Sequence, residues 1–123
     1  RNCKELKVLQ LGYNKLKELD PSTFNGLNKL ETLYLGDNQL RTVPRDLFKG
    51  LVNLKWLGLS FNQIETLDID VFSDLSSLET LYLHGNKFTI DDLNPNLFRG
   101  LKNLEWLEII DGTNSISQFE SFT

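Results

Sequence analysis

Few residues in this chain of 123 amino acids could do catalytic or metal-binding chemistry, because it contains one histidine, His84, and one cysteine, Cys3. The sequence has no spacing of zinc ligands, no glycine-rich phosphate loop and no serine near a plausible base. His84 has no sequence neighbour that would supply an orienting carboxylate or a second ligand, so a solvated histidine is predicted. The chain is therefore expected not to be an enzyme and to bind no cofactor.

One short segment copies part of a calcium-binding loop. Asp92, Asn94 and Asn96 have the spacing of the first three ligands. Leu97 stands where the loop needs glycine, and Asn103 stands where a bidentate glutamate would close the coordination shell. We therefore predict a polar loop and no metal site.

The single cysteine is predicted to be structural. Cys3 lies three residues before Leu6, at the spacing that later separates Leu27 from Leu30. Because free cysteine packs as a small hydrophobe, Cys3 is predicted to replace a core leucine. The alternatives are a disulfide to a residue outside this sequence and, with only Lys4 beside it, a reactive thiol.

The charge of the chain restricts its partners. It carries 13 basic and 17 acidic residues, a net charge of −4, and both signs are spread along the sequence. Nucleic acid is not expected as a partner, because its phosphates require a basic surface. No apolar run approaches the roughly 20 residues that span a bilayer, so we expect a soluble segment without direct membrane contact.

The elements that must position any functional side chain are repeats. The sequence contains 25 leucines and 12 asparagines, and these recur at fixed spacing. Blocks of the form L-x-x-L-x-L-x-x-N-x-L come into register at steps of 24, 24, 24 and 26 residues, which is a solenoid period. Four blocks follow the pattern closely and the fifth is degenerate. They begin at Leu6, Leu30, Leu54, Leu78 and Leu104.

The L-x-L part of each block predicts a short strand. Its side chains alternate between two faces, so Leu33 and Leu35 point to one face while Thr32 and Tyr34 point to the other. One unit is too short to enclose its own leucines and must stack on its neighbours. The stacked strands should form a parallel sheet with a leucine core on its inner side.

One asparagine recurs where each strand ends and the chain turns inward. An amide has donors and acceptors, so it can bond the backbone groups of its own turn and of the next one, which no sheet partner satisfies. We therefore interpret these residues as a structural asparagine ladder and not as a ligand site. The ladder comprises Asn14, Asn38, Asn62 and Asn86.

A phenylalanine column in the return half of each block carries a family resemblance. It consists of Phe24, Phe48, Phe72 and Phe98, each followed three residues later by leucine. With the repeat pattern, this F-x-x-L-x-x-L form resembles the 24-residue extracellular subclass of leucine-rich repeats, as in Toll-like receptor ectodomains. The resemblance implies an α/β repeat fold: a leucine-rich repeat solenoid with a short parallel β-sheet on the concave face and irregular or short-helical convex segments.

We expect residues 1–123 to form a single array of about five repeats. Neither end has the cysteine cluster of an extracellular cap, so the array is interpreted as an uncapped piece of a longer ectodomain. The fourth repeat has two extra residues on its convex side and should bulge there. The fifth has Gly112 where the asparagine belongs, and Asn114 recovers the spacing two residues late, which indicates an insertion at the end of the strand.

The outward positions of the strands are the candidate ligand-binding surface. Alternation predicts two columns on the concave sheet, one containing Trp56 and Trp106 and the other Tyr34 and Tyr82. Aromatic side chains on a rigid sheet provide contact area at little entropic cost, although such pairs also stabilise sheets by themselves. The predicted ligand-binding residues are Tyr13, Tyr34, Trp56, Phe61, Tyr82, Trp106 and Glu108.

Charges beside these columns favour one class of partner. A mostly acidic rim is predicted from Glu31, Lys55, Glu79, Glu105 and Glu108. Such a rim favours a basic or neutral polypeptide over a polyanion, because like charges penalise the encounter. A protein or peptide ligand is therefore expected.

The resemblance leaves several functions open. A recognition module of a cell-surface receptor, of the Toll-like type that signals in innate immunity, is the first interpretation and implies an extracellular location. A secreted or matrix adhesion protein is the alternative. An intracellular or bacterial repeat protein, or an enzyme inhibitor, is the least favoured. The chain contains no N-x-S/T triplet, so no N-glycan is expected on this segment.

Overall fold

The protein is a stack of short parallel strands joined by irregular segments. The computed structural model describes residues 3–110 and 115–116. Within these residues there are two short 3-10 helices, Ile90–Asp92 and Pro95–Phe98, and one sheet in the order β1-β2-β3-β4-β5-β6. Its strands are β1 (Val8–Gln10), β2 (Thr32–Tyr34), β3 (Trp56–Gly58), β4 (Thr80–Tyr82), β5 (Trp106–Ile110) and β6 (Ser115–Ile116).

The register of the sheet follows the repeat. Strands β1 to β5 are parallel, and the middle leucine of each strand pairs with the same leucine of the next. Leu33, Leu57 and Leu81 are therefore aligned one above another, and all three are fully buried. The predicted solenoid with a parallel concave sheet is confirmed.

The phenylalanine column fills the core from the convex side. Phe24, Phe48, Phe72 and Phe98 are all buried. The rings of Phe48 and Phe72 stack with centroids 6.2 Å apart, and those of Phe72 and Phe98 with centroids 6.4 Å apart. Burying a phenylalanine contributes about 1.5–3 kcal/mol, and its stacking on a neighbour holds successive turns in register.

The longer convex segment of the fourth repeat contains both 3-10 helices. Its polar side chains bond to their own turns: Asp92 Oδ2 accepts the N–H of Thr89, and Asn94 Oδ1 accepts the N–H of Asn96. Asn96 Oδ1 in turn accepts from Arg99. The oxygens that copy a calcium loop are thus engaged locally, which supports the interpretation as a polar loop.

The fifth repeat departs from the sequence prediction. Strand β5 has five residues, and β6 pairs with it antiparallel, with Ile109 opposite Ile116. The recovered repeat spacing therefore does not restore the parallel pattern at Ile116. Position 112 holds glycine in place of the ladder asparagine, and the β-branched Ile109 and Ile110 extend β5 and pair with β6. Gly112 and Asn114, which marked the predicted insertion, lie outside the described residues.

The prediction for Cys3 is also wrong, because the cysteine is free and exposed. Other residues of the first turn are also less buried than those of later turns. Leu6 and Leu9 are only partly buried, whereas Leu33 and Leu57 are fully buried. A core position is covered by the turn on each side of it, and Cys3 has no described turn on its N-terminal side.

Candidate ligand-binding face

The strand pairing assembles the two predicted columns on the concave face. Trp56 pairs with Thr32 on one side and Thr80 on the other, and Trp106 continues that column. The second column is formed by Gln10, Tyr34, Gly58, Tyr82 and Glu108. The aromatic members are partly exposed, so their rings form the floor of the concave surface.

Five rings make one continuous row across three repeats, here called the aromatic row. Tyr34 and Trp56 have ring centroids 5.9 Å apart, and Trp56 and Tyr82 5.2 Å apart. Tyr82 contacts His84 at 5.8 Å, and His84 contacts Phe61 at 4.9 Å, both edge to face. These are favoured separations and orientations for aromatic pairs, so each ring limits the movement of the next.

Glycines provide the space that Tyr34 occupies. A Cβ atom added to Gly12, Gly36 or Gly58 would clash with the Tyr34 side chain. The Tyr34 hydroxyl donates a 2.7 Å hydrogen bond to Asp37 Oδ2. Burial, and then this hydrogen bond, raise the pKa of the Tyr34 phenol above its ordinary value. The ring is thus fixed both by its close fit and by its hydroxyl group.

The residue before each ladder asparagine has a left-handed backbone. The φ angles are 62° at Tyr13, 58° at Asp37, 58° at Phe61 and 77° at Gly85. Only glycine adopts this conformation freely, and for a bulky residue it costs roughly 1–3 kcal/mol. Tyr13 and Phe61 are nevertheless 75% and 52% exposed, so burial does not offset that cost. Strained, exposed aromatic residues are a signal of function that the repeat pattern does not reveal.

Tyr13 lies apart from the aromatic row. It borders a shallow groove of about 450 Å³ at the N-terminal side of the sheet. The groove is also lined by Tyr34 and Trp56, so it continues into the aromatic row. All of the predicted aromatic residues therefore lie on the same face, with Tyr13 and Trp106 toward its two ends.

The prediction that His84 is a solvated histidine is wrong. Its side chain is 15% exposed and lies between the rings of Phe61 and Tyr82. A carboxylate is also present, because Glu108 Oε2 lies 3.7 Å from His84 Nδ1. Sequence reasoning missed this pair because Glu108 comes from the next repeat. The Nδ1 atom is buried and makes no hydrogen bond with any residue that the structure describes.

The ladder asparagines bond to backbone groups of two turns. Asn62 Nδ2 donates to the carbonyl groups of Leu59 in its own turn and Leu35 in the preceding one. Its Oδ1 accepts the N–H of Leu40, again in the preceding turn. Asn38 and Asn86 repeat this pattern. The asparagines were expected to bond their own turn and the following turn. Each amide instead points toward the preceding turn and bonds its backbone groups.

The predicted acidic rim requires a correction. The predicted rim residues form a column in which backbone hydrogen bonds of 2.8–2.9 Å join each member to the next. This column starts at Lys7, so basic and acidic residues alternate over the first three repeats. Only Glu79 and Glu105, at the C-terminal end, form an acidic pair of neighbours. Glu108 does not belong to the rim, since it lies in the column of Tyr82. The full column is Lys7, Glu31, Lys55, Glu79 and Glu105.

The main feature of the face is its aromatic contact surface. Among the residues that the structure describes, no three His, Cys, Asp or Glu side chains are grouped so that they could hold a metal ion. In the same part of the chain, no helix has the length and apolar character needed to cross a membrane. What the arrangement can do is bury aromatic surface against another molecule.

Comparisons with known proteins agree with this description. The profile of the family described as leucine rich repeat matches residues 4–64 and 53–114. No curated protein sequence matches the chain. Similar solved structures include a chain of the Drosophila Toll–Spatzle complex, with 28% identity and a TM-score of 0.79, and the leucine-rich repeat domain of APL1B, with 22% identity and a TM-score of 0.80.

An internalin (inlF) from Listeria monocytogenes is also similar, with 35% identity and a TM-score of 0.68. These three matches cover 89%, 86% and 85% of this chain, respectively. They cover 14%, 32% and 28% of the matched chains. The chain therefore corresponds to less than a third of each of these larger proteins.

Proposed function

The chain belongs to the leucine-rich repeat family, whose domains are typically protein-binding modules, and we propose that it binds a protein or peptide ligand through its concave face. The observation that carries this proposal is the aromatic row. Five rings are fixed against one another on a rigid parallel sheet, and they remain partly accessible to solvent. A surface that is already ordered loses little entropy on binding.

The strain at Phe61 supports binding over sheet support alone. A ring that served only the fold would not require a left-handed phenylalanine that is half exposed, since glycine or asparagine would relieve the backbone there. Tyrosine and tryptophan are also the residues that contribute most to interface energetics. Tyr34, Trp56 and Tyr82 are therefore the central contacts of the proposed interface.

A separate proposal concerns the role of the whole protein. The phenylalanine column and the likeness to a chain of the Toll–Spatzle complex favour the ectodomain of a cell-surface receptor in innate immunity, at an extracellular location. A bacterial repeat protein is the second candidate, supported by the 35% identity to the internalin and by the absence of N-x-S/T triplets. The two differ in the complete reading frame, where a membrane span followed by a cytoplasmic signalling domain would support the receptor.

A variant pair tests the proposed face. A display library of secreted proteins and peptides is screened, and binding of each purified hit is measured by calorimetry with the native chain and with Trp56→Ser and Tyr82→Ser. Each substitution should weaken binding by at least about tenfold, as expected of a central aromatic contact. Val52→Ser is the matched control, because Val52 is an exposed hydrophobic residue outside the two columns. Equal affinities for all four proteins would place the interface elsewhere.

A further inference from the structure

Glu108 places a carboxylate on an otherwise uncharged part of the aromatic face. It pairs with Tyr82 across β4 and β5 and lies two residues from Trp106 on its own strand. Its side chain is 25% exposed. A carboxylate that is three-quarters buried is costly unless its oxygens are well bonded.

The bonds that the Glu108 side chain makes with the described residues are weak. Its Oε1 accepts from Trp106 Nε1 at 3.3 Å, which is long for a hydrogen bond. Its Oε2 is 3.7 Å from His84 Nδ1, beyond hydrogen-bonding distance, and that nitrogen has no other partner. Within residues 3–110, no lysine or arginine forms an ion pair with this carboxylate. A carboxylate can accept about four hydrogen bonds, so the residues that the structure describes use only a small part of its capacity.

We propose, building on the proposed function, that the ligand of this face is a polypeptide that inserts an arginine side chain at Glu108, beside Trp106 and Tyr82. A guanidinium group can donate two parallel hydrogen bonds to one carboxylate and can stack on an adjacent aromatic ring. Trp106 is held beside the carboxylate by its own N–H bond, so a cation that reaches Glu108 lies close to the indole N–H group.

The charge around the site agrees with a cationic side chain. Glu79 and Glu105 are the neighbouring acids of the rim column at this end of the sheet, and Lys7 and Lys55 occupy the same column farther toward the N-terminus. The C-terminal end of the concave face is therefore its most acidic part. An acidic end attracts a basic side chain and sets the direction in which an extended ligand lies on the face.

Nuclear magnetic resonance of the two indole N–H groups tests the proposal. The chain has two tryptophans, and Trp56→Phe assigns the two signals. The native chain is titrated with N-acetyl-arginine methylamide and with the citrulline compound, which has nearly the same shape and no charge. The arginine compound should produce a saturable shift of the Trp106 signal, with an affinity about tenfold above that of the citrulline compound.

Two charge variants provide the matched comparison. Glu108→Gln keeps an oxygen that can accept from Trp106 and should reduce the affinity for the arginine compound about tenfold. Glu105→Gln removes the same charge from an exposed neighbour and should change it less than about twofold. Equal shifts with arginine and citrulline, the absence of saturation, or equal losses in both variants would overturn the proposal.

The outcome is separable from that of the proposed function. If a ligand found by the screen no longer binds the Trp56→Ser variant but binds the Glu108→Gln variant with unchanged affinity, the concave face is the interface and the arginine contact is refuted. If Trp56→Ser leaves the affinity for the ligand unchanged while the arginine compound still binds at Glu108, the proposed function is refuted and the arginine site is not.

Discussion

Replacing Asn62 with alanine tests how much the asparagine ladder contributes to stability. Asn62 is 6% exposed, and its amide makes three hydrogen bonds of 3.0–3.2 Å, to the N–H of Leu40 and to the carbonyl groups of Leu35 and Leu59. A fourth bond, to the carbonyl of Ser60, is longer at 3.4 Å. In Asn62→Ala the N–H of Leu40, a residue that is 1% exposed, loses the one partner that the described residues give it. The substitution thus leaves a buried donor unsatisfied.

The magnitude follows from what remains after the substitution. The carbonyl of Leu35 keeps its bond from Asn38, and the carbonyl of Leu59 keeps its bond from Asn86. An unsatisfied buried N–H costs about 1–3 kcal/mol, and each of the two weakened carbonyl groups about 0.5–1.5 kcal/mol. The free energy of unfolding should therefore fall by about 2–6 kcal/mol in Asn62→Ala.

Asn14→Ala is the matched control at the exposed end of the ladder. Asn14 donates to the carbonyl groups of Leu11 and Gly12, which water can bond after the substitution, so the expected loss is under about 1 kcal/mol. Both variants and the native chain are unfolded in urea and followed by circular dichroism, with the slopes compared to check that the unfolding remains two-state. A loss in Asn62→Ala no greater than that in Asn14→Ala would refute the role assigned to the ladder.

Two further predictions concern the concave face. Because the folded pKa of Tyr34 is raised by burial and by Asp37, the stability from this shift is fully present below the unfolded tyrosine pKa and is lost as pH rises through the folded value. Asp37→Asn should lower the folded pKa, measured by tyrosinate absorbance, and an unchanged titration would contradict the assigned hydrogen bond. Phe61→Asn should change the free energy of unfolding by less than about 1 kcal/mol while weakening ligand binding, because asparagine tolerates the left-handed backbone. Urea unfolding tests this, and a loss above about 2 kcal/mol would contradict the assigned strain.

Strand alternation predicts the fold because it is a property of the backbone. Side chains in a strand alternate between faces whatever their type, so the L-x-L spacing placed Leu33 and Leu57 in one core column and Trp56 beside Thr32 and Thr80. The repeat length then determines which residues become neighbours. Where the repeat changes, as after Ile109, the same reasoning fails, because the turn depends on an asparagine that the fifth repeat lacks.

Contacts between repeats at different positions could not be predicted from spacing. His84 meets Glu108 diagonally across two strands, and which rotamers bring their side chains together is decided by packing against Phe61 and Tyr82. The left-handed backbone at Phe61 was equally hidden, because phenylalanine carries no local preference for it. The exposure of Cys3 depends on a covering turn and not on its own residue type. The ligand-binding role of the aromatic residues stays a prediction.

The shared conformation of Tyr13, Asp37, Phe61 and Gly85 has a consequence for engineering. Tyr13, Asp37 and Phe61 each present a side chain from this backbone geometry, and successive positions are separated by the strand spacing of about 4.8 Å. Gly85 is not available in the same way, because a Cβ atom added there would clash with the Phe61 ring. Moving an aromatic group among the first three positions should shift a contact by a whole number of strand spacings without altering its direction, so the length of a binding footprint could be chosen by substitution at three sites.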